Sequence, residues 1–333
     1  MHVHLANSTS KPRPFWLTAE LAAAALARHP ELRDTLRISV DDDLATLAQA
    51  LPTMHVLVTS GSVITDARFA RQQLREAAPN LQFIHLIDAG VEDVMPLDWL
   101  PPGMRLTNNS GVHAKKAREF VMMALLALNS RMPEIAWHQR HARWSPVFTS
   151  SIAGKTLAVI GLGDLGQAAV AAGQMLGLRT IGVRRSRADV PGVERVYATD
   201  ELHEALSQAD FIVIATPLTS ETRGMLDRTA LRATRRGAAL INIGRAGVLD
   251  HGALVELLEQ EHLSGAWLDV LPEEPLPASS PLWSTANLTI TPHCGADDVE
   301  SYMTVTMELA LTNIARQLAG QPLLNVVDPL KQY

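Results

Sequence analysis

Residues 161–166 read Gly161-Leu-Gly163-Asp164-Leu165-Gly166, between an apolar run (TLAVI, from Thr156) and a helix-like segment (QAAVAAGQMLG, to Gly177). A strand that enters a glycine turn and leaves as a helix commits this part of the chain to a parallel βαβ unit. In such a turn the first glycine permits the tight bend, the second lets a pyrophosphate approach the backbone, and the third lets helix and strand pack closely. The helix start then supplies N–H donors and partial positive charge for phosphates. Gly154-Lys155-Thr156 resembles the end of a P-loop, but Thr149 stands where that motif needs glycine.

The residue that discriminates between nicotinamide dinucleotides belongs about 20 residues on, at the end of the next strand. NAD requires a carboxylate there for the ribose 2′-hydroxyl. This chain instead has Val183-Arg184-Arg185-Ser186-Arg187, with no carboxylate before Asp189. Guanidinium groups bind a 2′-phosphate that a carboxylate repels. NADP(H) is therefore the expected cofactor, with NAD(H) the second choice.

Strand-like and helix-like segments alternate both before and after this turn. Upstream, the expected strands are Val3–Ala6, Arg37–Val40, His55–Thr59 and Leu81–His85; the expected helices are Thr18–Arg28, Asp43–Leu51 and 66–78. A long apolar helix is expected over 111–131, with Pro133 ending it or beginning another. Further strands follow in RTIGV, FIVIAT, AALINI, Gly265–Asp269 and Leu288–Thr291. This pattern implies two doubly wound parallel sheets, and 333 residues with 47% hydrophobic content are enough for two cores. One cysteine excludes a disulfide scaffold and a multi-cysteine metal site, and no metal is expected. A net charge of -6 argues against nucleic acid as a partner. No apolar run is long enough to span a membrane, and the N-terminus lacks a signal-peptide pattern, so a cytoplasmic setting is expected.

Chemistry-bearing residues cluster after the later strands. They are Asn242-Ile243-Gly244-Arg245, then Asp269 through Glu274-Pro275, then Thr291-Pro-His293. A fixed cation, a carboxylate and an imidazole beside a nicotinamide suit reduction of a 2-keto acid. Arg245 would grip the substrate carboxylate and polarise the ketone, and His293 would donate the proton. A glutamate hydrogen-bonded to the imidazole would favour its protonated form. Asp88-Ala89-Gly90-Val91 lies just past an upstream strand, where ligands of open α/β sheets bind.

The segments GLGDLG, ATPLTSETRGML, INIGRAGVLD, WLDVLPEEPLPASSPLW and LTITPH, in this order, resemble the D-isomer-specific 2-hydroxyacid dehydrogenase family over residues 155–293. DAGVEDV and TNNSGVHAKKAREFVMMALLAL resemble its substrate loop and hinge helix more loosely. VRRSRADVPGV and PLPASSPLW resemble the glyoxylate/hydroxypyruvate reductase branch, which uses NADPH. The resemblance implies a catalytic set of Arg245, Glu274 and His293, with Glu274 rather than Glu273 because it precedes Pro275. It implies that Ala89, Gly90 and Val91 offer backbone N–H groups to the substrate, together with Arg245 and His293. It places Gly161, Gly163, Asp164, Leu165, Gly166, Arg184, Arg185, Ser186, Arg187, Thr216, Pro217, Ile243, Gly244, Asp269, His293 and Gly295 around the cofactor, Asp269 orienting the nicotinamide carboxamide.

The implied architecture is a Rossmann cofactor domain, residues 108–298, inserted into a flavodoxin-like substrate domain formed by 1–107 and 299–333, with a cleft between domains and homodimers pairing through the cofactor domain. The implied activity is NADPH-dependent reduction of glyoxylate or hydroxypyruvate to the D-2-hydroxy acid. An NAD-linked dehydrogenase for a bulkier substrate and a dinucleotide-sensing corepressor on the same fold are the alternatives. The chain departs from the family at Ala246, where glycine is usual, at DAGVEDV, and at Cys294, where an aliphatic residue is frequent. Trp144 and Trp283 are candidates for walling the substrate cleft or for packing.

Overall fold

The computed structural model describes residues 1–42, 44–69 and 71–333. It divides into two units, Met1–Val112 with Asp298–Tyr333, and His113–Asp297. These junctions differ from the expected ones for a local reason. Asn109 bonds through its side chain to the Ile87 carbonyl and the Thr306 hydroxyl, both at 2.8 Å or less, which ties 108–112 to the first unit. Asp298 starts the C-terminal helix of that unit, taking bonds from the Ser301 side chain and the Tyr302 N–H.

The first unit holds a five-stranded sheet of β1 (His2–Ala6), β2 (Arg37–Asp41), β3 (Val56–Thr59), β4 (Phe83–Leu86) and β5 (Arg105–Thr107), ordered β2-β1-β3-β4-β5. Every pairing is parallel, and the order is the flavodoxin-like one. Alternate residues feed opposite faces. Leu57, Ile84 and Leu86 pack into one core; Val3, Leu5, Val56 and Val58 pack into the other. The second core is closed by Met303, Met307, Leu311 and Ile314 of the helix Tyr302–Leu318, which is how the C-terminal segment returns to this unit.

The second unit holds β6 (Thr156–Ile160), β7 (Arg179–Val183), β8 (Arg195–Tyr197), β9 (Phe211–Ile214), β10 (Ala239–Asn242), β11 (Gly265–Leu268) and β12 (Leu288–Ile290). Their order is β12-β11-β10-β9-β6-β7-β8, all parallel: a Rossmann sheet with one added edge strand. The long helix spans Ala114–Asn129 and buries Phe120, Val121, Ala124, Leu125 and Leu128 against Leu157, Val159 and Ile241. Its apolar middle is therefore core material, while Met123 and Leu126 on its other face are exposed. Pro133 begins a second helix, Met132–Arg140.

Two expectations need correction. The helix expected over 66–78 is broken: a short helix Gly61–Thr65 precedes it, followed by a 3₁₀ turn Arg71–Gln73 and one helical turn Leu74–Ala77. The expected starts at Asp43 and the stretch through Ala70 include positions outside the described residues. Strands β5 and β8 were not foreseen, because three residues at a sheet edge carry no readable periodicity.

Of the three buried histidines in the first unit, His4 and His85 are the most deeply enclosed and make its core acid-sensitive. His85 is wholly buried between Thr107 (2.8 Å) and Asn109 (3.3 Å), and His4 lies between Ser39 (2.8 Å) and Asp41 (3.2 Å). Burial lowers both from 6.5 to about 4, against the opposing pull of Asp41 at His4 and of Asn109 at His85. In the unfolded chain both titrate near the ordinary value of about 6.5. Their penalty is thus absent above that pH and grows as the pH falls toward 4, because the unfolded chain binds protons that the fold refuses. Burial also opposes charge on His29, but Glu308 and Glu31 together outweigh it and raise that group. Its contribution has the opposite sign: present below the unfolded value and lost as the pH rises through the folded one. His4 and His85 are each expected to cost roughly 1.5 kcal/mol between pH 6.5 and 5, a loss that His29 offsets only in part. Urea unfolding monitored at both pH values checks this; equal midpoints would contradict it.

Candidate active site

The register of the second sheet aligns the strand ends. Tyr197, Val183, Ile160, Ile214, Asn242, Leu268 and Ile290 pair across successive strands in a single row. Almost every sequence-predicted site residue of this unit follows that row. Gly161 follows β6, Arg184 follows β7, Thr216 and Pro217 follow β9, Gly244 and Arg245 follow β10, Asp269 follows β11, and His293 follows β12. Parallel strands thus deliver all of them to one edge, the carboxyl edge where such sheets bind ligands.

At the turn, Gly161 has φ +93°, and its N–H donates to the Val183 carbonyl at 2.9 Å. A Cβ on Gly161 would stand 2.7 Å from Thr216 Cγ2, and one on Gly166 would stand 2.0 Å from the Gly161 carbonyl oxygen. These glycines are required by the packing of the turn on itself. Gly163 is different: a Cβ there would meet nothing within 4 Å, so its backbone faces open space at the start of the helix Asp164–Met175. Thr216 is buried, its Oγ1 has no hydrogen-bond partner among the described residues, and a Cβ on Gly244 would stand 2.7 Å from its carbonyl oxygen. An open backbone cradle at a helix start, beside an unsatisfied buried hydroxyl, fits a dinucleotide.

Beyond β7, Arg184 is partly buried and Arg185, Ser186 and Arg187 are exposed. Arg185 lies 3.4 Å from Glu221, and Arg187 lies 2.9 Å from Glu201. Solvent-exposed pairs of this kind contribute only about 0–1 kcal/mol. Both guanidiniums can therefore exchange a carboxylate for a phosphate at little cost.

Beyond β11 and β12, His293 and Glu274 meet. Glu274 Oε2 is 2.7 Å from His293 Nδ1, and its Oε1 accepts from the Leu271 N–H at 2.9 Å. The carboxylate is thereby anchored to its own loop while it holds the imidazole, and among the described residues Nε2 makes no hydrogen bond. The His293 side chain is 49% exposed, enough to reach a small molecule. Its backbone has φ +52°, a left-handed conformation uncommon outside glycine. Its N–H donates to the Asp269 and Thr291 carbonyls at 2.9 and 3.0 Å, which fixes that conformation.

Asp269 is the buried anchor of this loop, a structural part that sequence reasoning missed. Its carboxylate accepts from the Thr291 hydroxyl (2.7 Å), the Cys294 N–H (3.2 Å) and the Gly295 N–H (3.1 Å), so it holds the residues on either side of His293. The Cys294 thiol is pushed up by burial and by the nearby Asp269 and Asp297 carboxylates, so it is a poor nucleophile.

Arg245 sits at the end of β10, its Nη1 donating to the Gly244 carbonyl at 2.8 Å. Asn242 braces the bend, donating to the Arg245 carbonyl at 3.1 Å and accepting from the Gly244 N–H at 3.0 Å. Strands β10 and β12 are separated by two strand spacings, roughly 10 Å.

The remaining predicted residues lie elsewhere. Ala89, Gly90 and Val91 belong to the first unit, in the loop after β4 at the carboxyl edge of its own sheet. Trp144 is 98% exposed on an extended segment after the helix Met132–Arg140, and Trp283 is 55% exposed, its indole N–H donating to the Pro277 carbonyl at 3.0 Å. Arg228 and Arg232 pair with Glu256, and Arg235 with Asp210, so they form a solvated charged face.

Comparison with known proteins agrees with this geometry. Residues 122–295 match the family model described as "D-isomer specific 2-hydroxyacid dehydrogenase, NAD binding domain". A glyoxylate reductase of Aeropyrum pernix is 29% identical over 264 residues, 77% of this chain and 78% of that enzyme. Among solved structures, a D-isomer specific 2-hydroxyacid dehydrogenase family protein from Aeromonas salmonicida superposes with a TM-score of 0.81 at 30% identity, covering 98% of this chain and 99% of its own. An NADPH-dependent glyoxylate/hydroxypyruvate reductase from Sinorhizobium meliloti, in complex with NADP and sulfate, superposes with a TM-score of 0.82 at 26% identity over the whole of both chains.

Proposed function

Since the chain belongs to the D-isomer-specific 2-hydroxyacid dehydrogenase family, we propose that it reduces glyoxylate or hydroxypyruvate to the D-2-hydroxy acid with NADPH, and that His293 is the general acid. The observation that carries this reading is the 2.7 Å contact between Glu274 and His293 at the carboxyl edge of a dinucleotide-binding sheet. NADPH, when bound, supplies the hydride that the keto carbon accepts. The chain's own residues supply the rest. Glu274 accepts from the Nδ1–H and so holds the ring with its other nitrogen turned outward. Nε2 then gives its proton to the ketone oxygen as negative charge builds on it. Arg245 holds the substrate carboxylate and polarises the ketone with its planar, permanently charged fork. Asp269 and Asn242 act indirectly, by fixing the loops that carry His293 and Arg245.

The preference for NADPH rests on Arg184, Arg185 and Arg187 after β7, with no carboxylate at the position that would hold a 2′-hydroxyl. The NADPH-dependent S. meliloti enzyme supports the same choice. The Ala89–Val91 loop is assigned to the substrate carboxylate. Homodimer formation through the second unit is part of the proposal, supported by the exposed Met123, Leu126, Trp144 and Phe148; light scattering should return twice 36.2 kDa. Among the described residues, no helix is long and apolar enough to cross a membrane.

Steady-state assays with NADPH and NADH on glyoxylate, hydroxypyruvate, pyruvate and phenylpyruvate test the reading. Turnover should be fastest on the two small substrates, with kcat/KM for NADPH at least tenfold above that for NADH, one well-placed charge-assisted contact being enough for that ratio. No NADPH oxidation with any of the four would refute the proposal. Preference for NADH and phenylpyruvate would move the enzyme to the bulkier-substrate branch.

A further inference from the structure

The loop that follows β4 reads Asp88-Ala89-Gly90-Val91-Glu92-Asp93, so the backbone donors assigned to an anion are flanked by three carboxylates. That is an unfavourable setting for a 2-keto acid unless charge is cancelled locally. The structure supplies a cation from another part of the same unit. Lys11 Nζ lies 2.8 Å from Asp88 Oδ1, while Asp88 Oδ2 accepts from the Gly61 N–H at 2.7 Å. The loop itself is pinned from behind: the Asn109 N–H donates to the Asp88 carbonyl at 3.1 Å, and the Asn108 side chain donates to the Ala89 carbonyl at 2.7 Å. Lys11 is pinned too, its N–H donating to the Ser8 carbonyl at 3.1 Å and its carbonyl accepting from the Trp16 indole at 2.8 Å.

We infer that Lys11 is a specificity-determining residue: by neutralising Asp88 it makes the Ala89–Val91 loop able to accept a carboxylate, and so sets the affinity for the keto acid. The inference rests on the assignment of that loop to substrate. Asp88 also has a structural part, since its second oxygen ties Gly61 and the start of the helix Gly61–Thr65 to the loop. Asparagine would keep that bond without the charge. The pair is only partly shielded, with Lys11 37% and Asp88 26% exposed, so its effect on an incoming anion is sensitive to ionic strength.

The test is a charge cycle. K11M should raise KM for glyoxylate roughly tenfold at low salt, the size expected when a single unscreened like charge is uncovered next to a bound anion. Both kcat and NADPH affinity should stay within about twofold, because neither the proton donor nor the dinucleotide turn is touched. K11R should restore KM, and K11M/D88N should return it to within about threefold of the parent. The tenfold effect should shrink at about 0.5 M salt, where charges are screened within a few ångströms. A KM unchanged in K11M, or a double variant as poor as K11M, would overturn the inference. Oxalate binding by calorimetry reads the same effect without turnover. A chain that oxidises no NADPH yet binds oxalate more weakly in K11M would contradict the proposed function while upholding this one. Oxalate affinity indifferent to Lys11, or no oxalate binding by the parent, would overturn it.

Discussion

Replacing His293 with Gln is expected to lower kcat by about 10³-fold while leaving the dissociation constant for NADPH within about twofold, a loss in the middle of the range for general acids. Glutamine has a similar reach and can still approach Glu274, so the loop should survive. It cannot deliver a proton at the position of Nε2. The backbone at 293 is the main structural risk, because its φ of +52° is held by bonds to the Asp269 and Thr291 carbonyls. Those bonds use the main-chain N–H and do not depend on the side chain. An unchanged thermal midpoint together with lost turnover separates chemistry from folding. Turnover within tenfold of the parent would contradict the assignment.

The second large effect is expected at the glycine turn. In Gly166→Val the added Cβ would lie 2.0 Å from the Gly161 carbonyl oxygen and 2.8 Å from its carbon, both backbone atoms that have nowhere to go. The helix Asp164–Met175 must then back away from β6, which costs about 1–3 kcal/mol of packing and takes the helix start out of reach of the phosphates. NADPH affinity should fall at least about 100-fold, with a lower melting temperature. Gly163→Ala is the matched control. Its Cβ meets no protein atom within 4 Å, and φ at 163 is −75°, so the fold should be untouched. The methyl would nevertheless enter the space left for the pyrophosphate. Weakened NADPH binding at an unchanged melting temperature is the expected result there. If Gly166→Val binds NADPH within threefold of the parent, the turn is not the dinucleotide site.

The contrast between these positions shows which parts of the molecule were legible in the sequence. Gly161-x-Gly163-x-x-Gly166 could be read because its meaning is local: a turn between an apolar run and a helix. The strand ends could be read for the same reason, as buried parallel strands appear as short continuous apolar runs. His293 and Glu274 stood out as chemistry-bearing types in order, but they are 19 residues apart, and only the shared edge of β11 and β12 makes them a pair. Asp269 was expected to face the cofactor. Its bonds to Thr291, Cys294 and Gly295, which shape the His293 loop, depend on strand register and leave no periodic trace. Lys11 and Asp88, separated by 77 positions, were out of reach for the same reason, although the acidity of the Asp88–Asp93 segment was visible. The broken helix between 61 and 77 shows the converse error, in which helix-favouring composition was overridden by tertiary packing of short turns.

The central claim is that Glu274 and His293 act as one unit in delivering a proton, and a double-mutant cycle on kcat with NADPH and glyoxylate tests it most directly. Glu274→Gln alone should cost about 10- to 100-fold in kcat, as loss of a positioning carboxylate does, yet almost nothing further when His293 is already Gln, because a group that works through another has no effect once that other is gone. If the two losses instead multiply, each residue acts independently, and the 2.7 Å contact between them is not the proton-delivering device.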